Sequence, residues 1–200
     1  MKKTKLSLIL LSLTVIASIT ISSCKKDDTD DNTTTTTTTT TDENDLSISK
    51  FTATIDGTNI SYIAGTNDFE GICGTDKSIG DSARIIYNYE IGNSAYTSSA
   101  KITKGTLVSH SGSVASTTLF NSFITTGTCS FSDNAANGVE IKWKSSPNEV
   151  WTTTGTNQSG SSFSFAIVNY TDVMGSHYAR FKATFNCKLT NGSTVKTLTN

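Results

Sequence analysis

The sequence has few of the residues on which catalytic and metal sites usually depend. It contains one proline, two histidines, two methionines and two tryptophans among 200 residues. The histidines have neither an HxH nor an HExxH spacing, so no metal ion is predicted, and no cofactor either. The Gly-x-Ser-x-Gly motif of serine hydrolases is also missing. These absences favour a function other than catalysis.

Charge and hydropathy argue against two further classes of protein, those that bind nucleic acid and those that cross a membrane with helices. The formal net charge is −1, and residues 46–200 hold eleven basic against ten acidic residues. Such a balance gives no reason to expect nucleic acid as a partner. After residue 21, no stretch is long and apolar enough to predict a transmembrane helix. We therefore expect most of the chain to lie in water.

The N-terminus has the parts of a secretory signal that ends in a lipidation motif. Three lysines among the first five residues precede a mostly apolar stretch, which predicts a signal peptide over residues 1–23. The stretch ends as Ile21-Ser-Ser-Cys24, which resembles the bacterial lipobox. In that motif the thiol accepts diacylglycerol. The two or three acyl chains that the resemblance implies anchor a protein stably, whereas one chain anchors only marginally.

Residues 24–45 are predicted to be the lipidated cysteine followed by a disordered tether. Nine threonines occupy positions 33–41, and residues 25–45 hold two lysines against seven acidic residues. This composition cannot bury a core, and its like charges extend the chain. The tether spans roughly 25 Å as a flexible coil and about 70 Å when fully extended. It therefore holds the following domain away from the membrane.

The lysines and acidic residues just after Cys24 also resemble the surface-export signal of Bacteroidota-type lipoproteins. That resemblance implies a domain on the outer face of the outer membrane, at the cell surface. The alternative is an acidic spacer without an address, which leaves the anchored domain facing the periplasm.

Residues 46–200 predict a single all-β domain. Apolar and polar residues alternate with a period of two between frequent turn signals. The pattern predicts an antiparallel β-sandwich of roughly 9–11 strands, with a small β-barrel as the alternative. The exception is the segment after Ser116, whose apolar residues have helical spacing and predict one short helix with Ser116 as its N-cap.

Alternation also predicts which side chains face the core. The predicted core faces comprise Ile85, Tyr87, Tyr89 and Ile91, then Val139, Ile141 and Trp143, then Phe163, Phe165 and Ile167, and finally the alternate residues from Ala179 to Leu189.

Three turns predict strand pairing. The dipeptide Asp56-Gly57 places Phe51 opposite Tyr62 and Ala53 opposite Ile60. A three-residue loop over 146–148 places Trp143 opposite Trp151. At Asn191-Gly192 a three-residue loop, with Val195 opposite Leu189, is preferred over a two-residue turn.

Cysteine and histidine offer the only candidate nucleophile. Apart from Cys24, the cysteines are Cys73, Cys129 and Cys187, so at most one disulfide forms among them and all three pairings stay open. Cys187 lies on a predicted core face, which favours a buried structural role. A reactive thiolate needs a nearby histidine, and only His110 and His177 exist.

Aromatic side chains are the candidate ligand contacts. Trp143 is in phase with a core face, whereas Trp151, Tyr96, Tyr170 and Tyr178 are candidates for exposure and for stacking on sugar rings. These four are the predicted stacking residues.

Four stretches of the domain, taken in order with the lipobox, resemble a group of Bacteroidota lipoproteins of unknown function. They are Phe51-Thr-Ala-Thr-Ile-Asp-Gly57, Gly138-Val-Glu-Ile-Lys-Trp143, Ser159-Gly-Ser-Ser-Phe163 and Phe181-Lys-Ala-Thr-Phe-Asn-Cys-Lys-Leu189. The resemblance implies no catalytic residues.

The sequence thus predicts a membrane-anchored, surface-displayed lipoprotein with a non-catalytic binding or structural domain. Its expected partners are the membrane, through the lipid, and an extracellular glycan or protein. The main alternative is a carbohydrate-binding module of a glycan-uptake system. Minor alternatives are a lipid-carrying barrel and a hydrolase.

Overall fold

The computed structural model describes residues 45–80, 82–110 and 114–200. The predicted signal peptide, Cys24 and the tether up to residue 44 lie outside this part of the chain. The described residues form eleven strands: β1 Lys50–Ile55, β2 Thr58–Ile63, β3 Phe69–Ile79, β4 Ala83–Asn93, β5 Ser99–Ser109, β6 Gly127–Thr128, β7 Gly138–Ser146, β8 Glu149–Thr152, β9 Ser162–Val173, β10 Ser176–Asn191 and β11 Thr194–Thr199. One helix, α1 Thr117–Phe123, lies between β5 and β6, and a single 3₁₀ turn covers Asp133–Ala135.

The strands form two antiparallel layers that share one continuous hydrogen-bonded sheet. One layer holds β2, β1, β11, β10, β9 and β6, and the other holds β8, β7, β5, β4 and β3. A single pair, Thr190 opposite Thr152, joins β10 to β8 and links the layers. On the far side, Trp143 Nε1 donates to the Tyr62 hydroxyl across the layers at 2.9 Å.

The predicted all-β sandwich with one short helix is therefore confirmed. The barrel alternative is wrong, because the sheet ends at two edge strands, β2 and β3, that do not pair with each other.

The principal core lies between the layers and contains most of the buried side chains. Its fully buried members come from both layers: Ile91, Val139, Ile141, Phe163, Phe165, Cys187, Leu189 and Leu198. Cross-strand pairing places Phe51 opposite Tyr62 and Ala53 opposite Ile60 as predicted. Trp143 lies opposite Trp151, also as predicted. Alternation was therefore a sound guide to the faces of these strands.

Two register predictions need correction. The β10–β11 turn is Gly192-Ser193, so Leu189 lies opposite Lys196 and Cys187 opposite Leu198. The predicted pairing of Val195 with Leu189 is wrong, because only the observed register turns Leu198 inward beside Cys187.

In β9 and β10 a bulge lies next to Ala183, so Val168 instead of Ile167 faces Phe181. The extra residue in β9 reverses the faces beyond Phe165. The β7–β8 loop has two residues, 147 and 148, instead of the predicted three, and the pairing of β7 with β8 has a bulge between Lys144 and Ser146.

A smaller core lies under helix α1. We call it the clasped end, and its buried members are Ala83, Ile85, Leu107, Ala115, Phe120 and Ile124. Ser116 Oγ accepts from the Leu119 amide at 3.3 Å, which confirms the predicted N-cap.

The β9–β10 hairpin reaches over this end and holds the helix from outside. The Tyr170 hydroxyl lies 2.9 Å from the carbonyl oxygen of Asn121 and also contacts that of Ile124. Among the described residues, no helix is long and apolar enough to cross a membrane.

Candidate functional site

A short segment crosses the outside of β5 and β7 and forms one wall of a groove on the described surface. This segment, residues 127–137, is called the strap. Its backbone is fixed to the sheet, because the Val139 amide donates to the Ser130 carbonyl at 2.9 Å and the Ser132 amide donates back to Val139 at 3.1 Å. At its start, the Cys129 amide donates to Phe163 on β9.

Two glycines let the strap lie this close. Gly105 on β5 and Gly138 on β7 are directly opposite each other. A methyl group on Gly138 would lie 2.2 Å from the Ser130 carbonyl oxygen, and one on Gly105 would lie 2.2 Å from that of Ala135. Neither distance is sterically allowed, so the strap requires glycine at both positions.

Two adjoining hollows separate the strap from the loop between β8 and β9. We call them together the strap groove. The first encloses about 380 Å³ and the second about 290 Å³. The first is lined by Thr128, Cys129, Ser130, Phe131, Gln158, Ser161, Ser162 and Phe163, and the second by Phe131, Ser132, Asp133, Thr153, Thr156 and Gln158. Volumes of this size fall at the lower end of those found for ligand sites.

Gln158 fixes the floor between the two hollows. Its Nε2 donates to the carbonyl oxygens of Lys188, at 2.7 Å, and Thr153, at 3.2 Å. Its Oε1 accepts from the Lys188 amide at 3.1 Å. Because these bonds reach β10 from the β8–β9 loop, they hold the loop rigidly against the sheet.

The remaining polar groups of the groove are hydroxyls with unused hydrogen-bonding capacity. Within the described residues, the side chains of Thr128, Ser130, Ser161 and Ser162 make no hydrogen bond. Thr156 Oγ1 is buried and has no partner there either. Elsewhere on the sheet comparable hydroxyls are bonded, for example Thr152 and Thr154, which both donate to Glu140 at 2.8 Å.

Asp133 is the one carboxylate of the groove. Its Oδ1 accepts from the Gly155 amide at 2.8 Å and so ties the strap to the opposite loop. The described residues contain no group of three or more His, Cys, Asp or Glu side chains placed to hold a metal ion. The groove therefore offers neutral hydrogen bonds and a single negative charge.

Cys129 lies at the wall of the first hollow. Its Sγ is 3.4 Å from Lys104 Nζ, whose ammonium also lies 4.7 Å from the centre of the Phe123 ring. Sequence analysis did not associate Cys129 with Lys104, because 25 residues separate them.

The three cysteines of the domain lie on three different parts of the fold. Cys73 is exposed on β3, Cys129 is half-buried on the strap and Cys187 is buried on β10. The described residues contain no disulfide. Burial raises the pKa of the Cys187 thiol to about 12, so it stays protonated at neutral pH. The predicted structural role of Cys187 agrees with this position.

The histidines are not placed to activate Cys187. His177 belongs to the clasped end, where its Nδ1 lies 2.6 Å from Asp172 Oδ1 and its Nε2 lies 3.1 Å from the Ala115 carbonyl oxygen. Both ring nitrogens are therefore engaged. His110 is exposed at the end of β5. A Cys–His pair that includes Cys187 is not assembled.

The predicted stacking residues do not form one site. Trp151 is only 4% exposed and is covered by Lys196, whose Nζ lies 4.5 Å from the ring centre, so its predicted exposure is wrong. Tyr96 is 50% exposed in the β4–β5 turn. Tyr170 is 39% exposed but its hydroxyl is held by α1, and Tyr178 is half-buried on the opposite face of the same hairpin.

Sequence analysis missed the strap groove. Its serines and threonines resemble ordinary loop composition, and the approach of the strap depends on two glycines in strands that are distant in sequence. One signal was present: Gly105 interrupts a strand and Gly138 begins one, and such glycines often mark a close backbone approach.

No family model, no curated protein and no solved structure matches this chain.

Proposed function

We propose that this protein is a lipid-anchored, surface-displayed lipoprotein whose β-sandwich acts outside the cell without catalysing a reaction. The observation that carries the proposal is the order of segments in the chain. A signal-like stretch ends at Cys24, an acidic threonine-rich segment follows, and regular structure starts at Lys50. This order is that of an anchor, a spacer and a domain.

The arrangement of reactive groups supports a non-catalytic role. Burial keeps the Cys187 thiol protonated, and His177 is occupied by Asp172 and Ala115. The strap groove is lined mainly by hydroxyl side chains, which suit binding more than bond cleavage. The open sheet also lacks the closed interior that a lipid-carrying barrel requires.

The anchor is tested by metabolic labelling with an alkyne fatty acid. We expect the wild-type protein and a Cys73→Ala control to be labelled and to sediment with membranes. A Cys24→Ala variant should lose both the label and the membrane association. Labelling that survives in Cys24→Ala contradicts the anchor.

Surface display is tested by adding protease to intact cells. We expect loss of the domain from intact cells, while a periplasmic control protein stays uncut. If the domain is cut only after lysis, it faces the periplasm, and surface display is contradicted while the anchor stands.

A further inference from the structure

The strap groove has a chemistry that narrows the class of ligand. Its accessible polar groups are the hydroxyls of Thr128, Ser130, Ser161 and Ser162, together with Asp133. Each hydroxyl is able to donate one hydrogen bond and to accept up to two. A ligand with many hydroxyl groups of its own matches this lining, because every contact can adopt either direction.

Thr156 adds a group that lacks a partner. Its Oγ1 is removed from solvent and makes no hydrogen bond within the described residues, although it lines the second hollow. A buried hydroxyl without a partner costs about 1–3 kcal/mol. Because this atom has almost no accessible surface, a ligand hydroxyl in that hollow bonds to it only when the surrounding side chains shift, and such a shift would remove the cost.

Charge and polarity argue against other small ligands. The two hollows share one aromatic side chain, half-buried Phe131, whose ring edge packs on Phe163. A fatty acyl chain would leave the surrounding hydroxyls unpaired. A phosphate or another strongly anionic group would meet Asp133 in the second hollow. No lining residue carries a cation, and the nearby Lys104 ammonium lies against Cys129 and the Phe123 ring.

We infer that the strap groove binds a neutral oligosaccharide, with sugar hydroxyls bonded to the groove hydroxyls and one sugar unit in each hollow. This inference rests on the proposed function, since it supplies the ligand of a displayed binding domain. It places that ligand in the strap groove and not at Trp151 or the exposed tyrosines.

The test uses the mature lipoprotein in micelles of a detergent that contains no sugar. Calorimetric titrations are made with maltohexaose, cellohexaose, xylohexaose and mannohexaose, and with a hexamer of galacturonic acid as the charged counterpart. We expect at least one neutral hexasaccharide to bind and the acidic hexamer not to bind. Absence of binding by all four neutral probes, or binding of the acidic hexamer alone, overturns the inference.

Three variants then test whether the ligand binds in the strap groove. Ser161→Phe fills the first hollow and should weaken binding by about tenfold or more, and Thr156→Val should weaken it by about threefold. The matched control Tyr96→Ala, outside the groove, should bind like the wild type. Wild-type affinity in Ser161→Phe, or loss of binding in Tyr96→Ala alone, would move the site elsewhere and overturn the assignment.

Two further controls keep the result interpretable. If Ser161→Phe lowers the unfolding temperature, Ser130→Phe replaces it, because Ser130 is exposed on the strap. Fatty-acid labelling of Cys24 and the protease experiment do not involve the groove. Failure of sugar binding therefore leaves the proposed function standing, whereas failure of those experiments removes it.

Discussion

The principal core and the clasped end are held together in different ways. The principal core takes side chains from both layers. Within one layer, the ring pairs Phe51–Phe185 and Phe163–Phe165 lie 5.6 and 5.1 Å apart. In the clasped end six buried residues lie under a seven-residue helix. That helix is secured by the Tyr170 and His177 side chains.

This difference predicts that stability is unevenly distributed. Helices as short as α1 are not stable alone, so α1 depends on its packing and on the two side-chain contacts. The clasped end also contains Ser109, whose buried Oγ has no partner within the described residues. We expect this end to open locally at a free energy below that of global unfolding.

The largest effect should come from a matched pair of phenylalanines. Phe185→Ala in the principal core should lower the free energy of unfolding by about 3–5 kcal/mol. Phe120→Ala in the clasped end removes a ring of equal size but should cost less than half as much, because the helix can detach while the layers stay packed. Urea unfolding followed by tryptophan fluorescence measures both, since Trp143 and Trp151 lie in the principal core. Equal losses would mean that the two regions unfold as one unit.

We expect the strap to unfold together with the principal core. Gly138→Ala forces a methyl group against the Ser130 carbonyl oxygen and should destabilise the protein by about 1–3 kcal/mol. Gly80→Ala is the control, because a methyl group there meets nothing within 4 Å. Thermal unfolding of the two variants distinguishes them. A Gly138→Ala protein as stable as the control would show that the strap moves away from the sheet without cost.

Alkaline pH should weaken the principal core. Burial raises the pKa of the Cys187 thiol to about 12, and burial also raises the pKa of Tyr62 and of Tyr89. Below about pH 9 these groups are protonated in both states. As the pH rises above 9, the unfolded chain loses protons that the folded chain keeps, so stability falls by about 1.4 kcal/mol per pH unit for the thiol alone.

The thiol contribution is isolated by Cys187→Ala. We expect this variant to be less stable at pH 7 but to lose stability less steeply between pH 9 and 11. Cys73→Ala changes an exposed cysteine whose charge acts on Tyr89, and it should alter the slope less than Cys187→Ala does. Identical slopes in all three proteins, measured by urea unfolding at each pH, would contradict the assignment to Cys187.

The smallest effect concerns the clasp itself. Tyr170→Phe removes the hydroxyl that bonds the last turn of α1 and should cost about 1 kcal/mol locally. Amide hydrogen exchange of residues 117–124 should then accelerate about fivefold, with no change in the principal core. Tyr178→Phe is the control, since its hydroxyl makes no hydrogen bond within the described residues. Unchanged exchange in Tyr170→Phe would show that packing alone secures the helix.

Local sequence patterns were sufficient for most of the fold. The Asp56-Gly57 turn, the alternating faces and the Ser116 N-cap are each determined within a few residues, and each was predicted. The β10–β11 register was wrong because Lys196 looked unsuitable for an inward position. Its ammonium in fact lies over the Trp151 ring, a contact that the sequence of the hairpin does not reveal.

The candidate site was much less predictable. The burial of Trp151 depends on Lys196 of β11, which lies over its ring. The strap groove depends on the pairing of Gly105 with Gly138. Hydroxyl residues carry no periodic signal, and whether Thr156 has a partner is decided by chain segments far away in sequence. Contacts of this kind form only when the two layers come together, so no local sequence pattern reveals them.

The first and last strands are neighbours. Thr54 and Ile55 of β1 pair with Thr199 and Leu198 of β11, and Asn200 Oδ1 accepts from the Phe185 amide at 2.8 Å. A nascent chain emerging from the ribosome therefore cannot complete this layer until residues 194–200 have been synthesised. For a protein proposed to pass through an export channel before folding, this arrangement delays closure of the domain. It keeps the chain in a threadable form until β11 has been made.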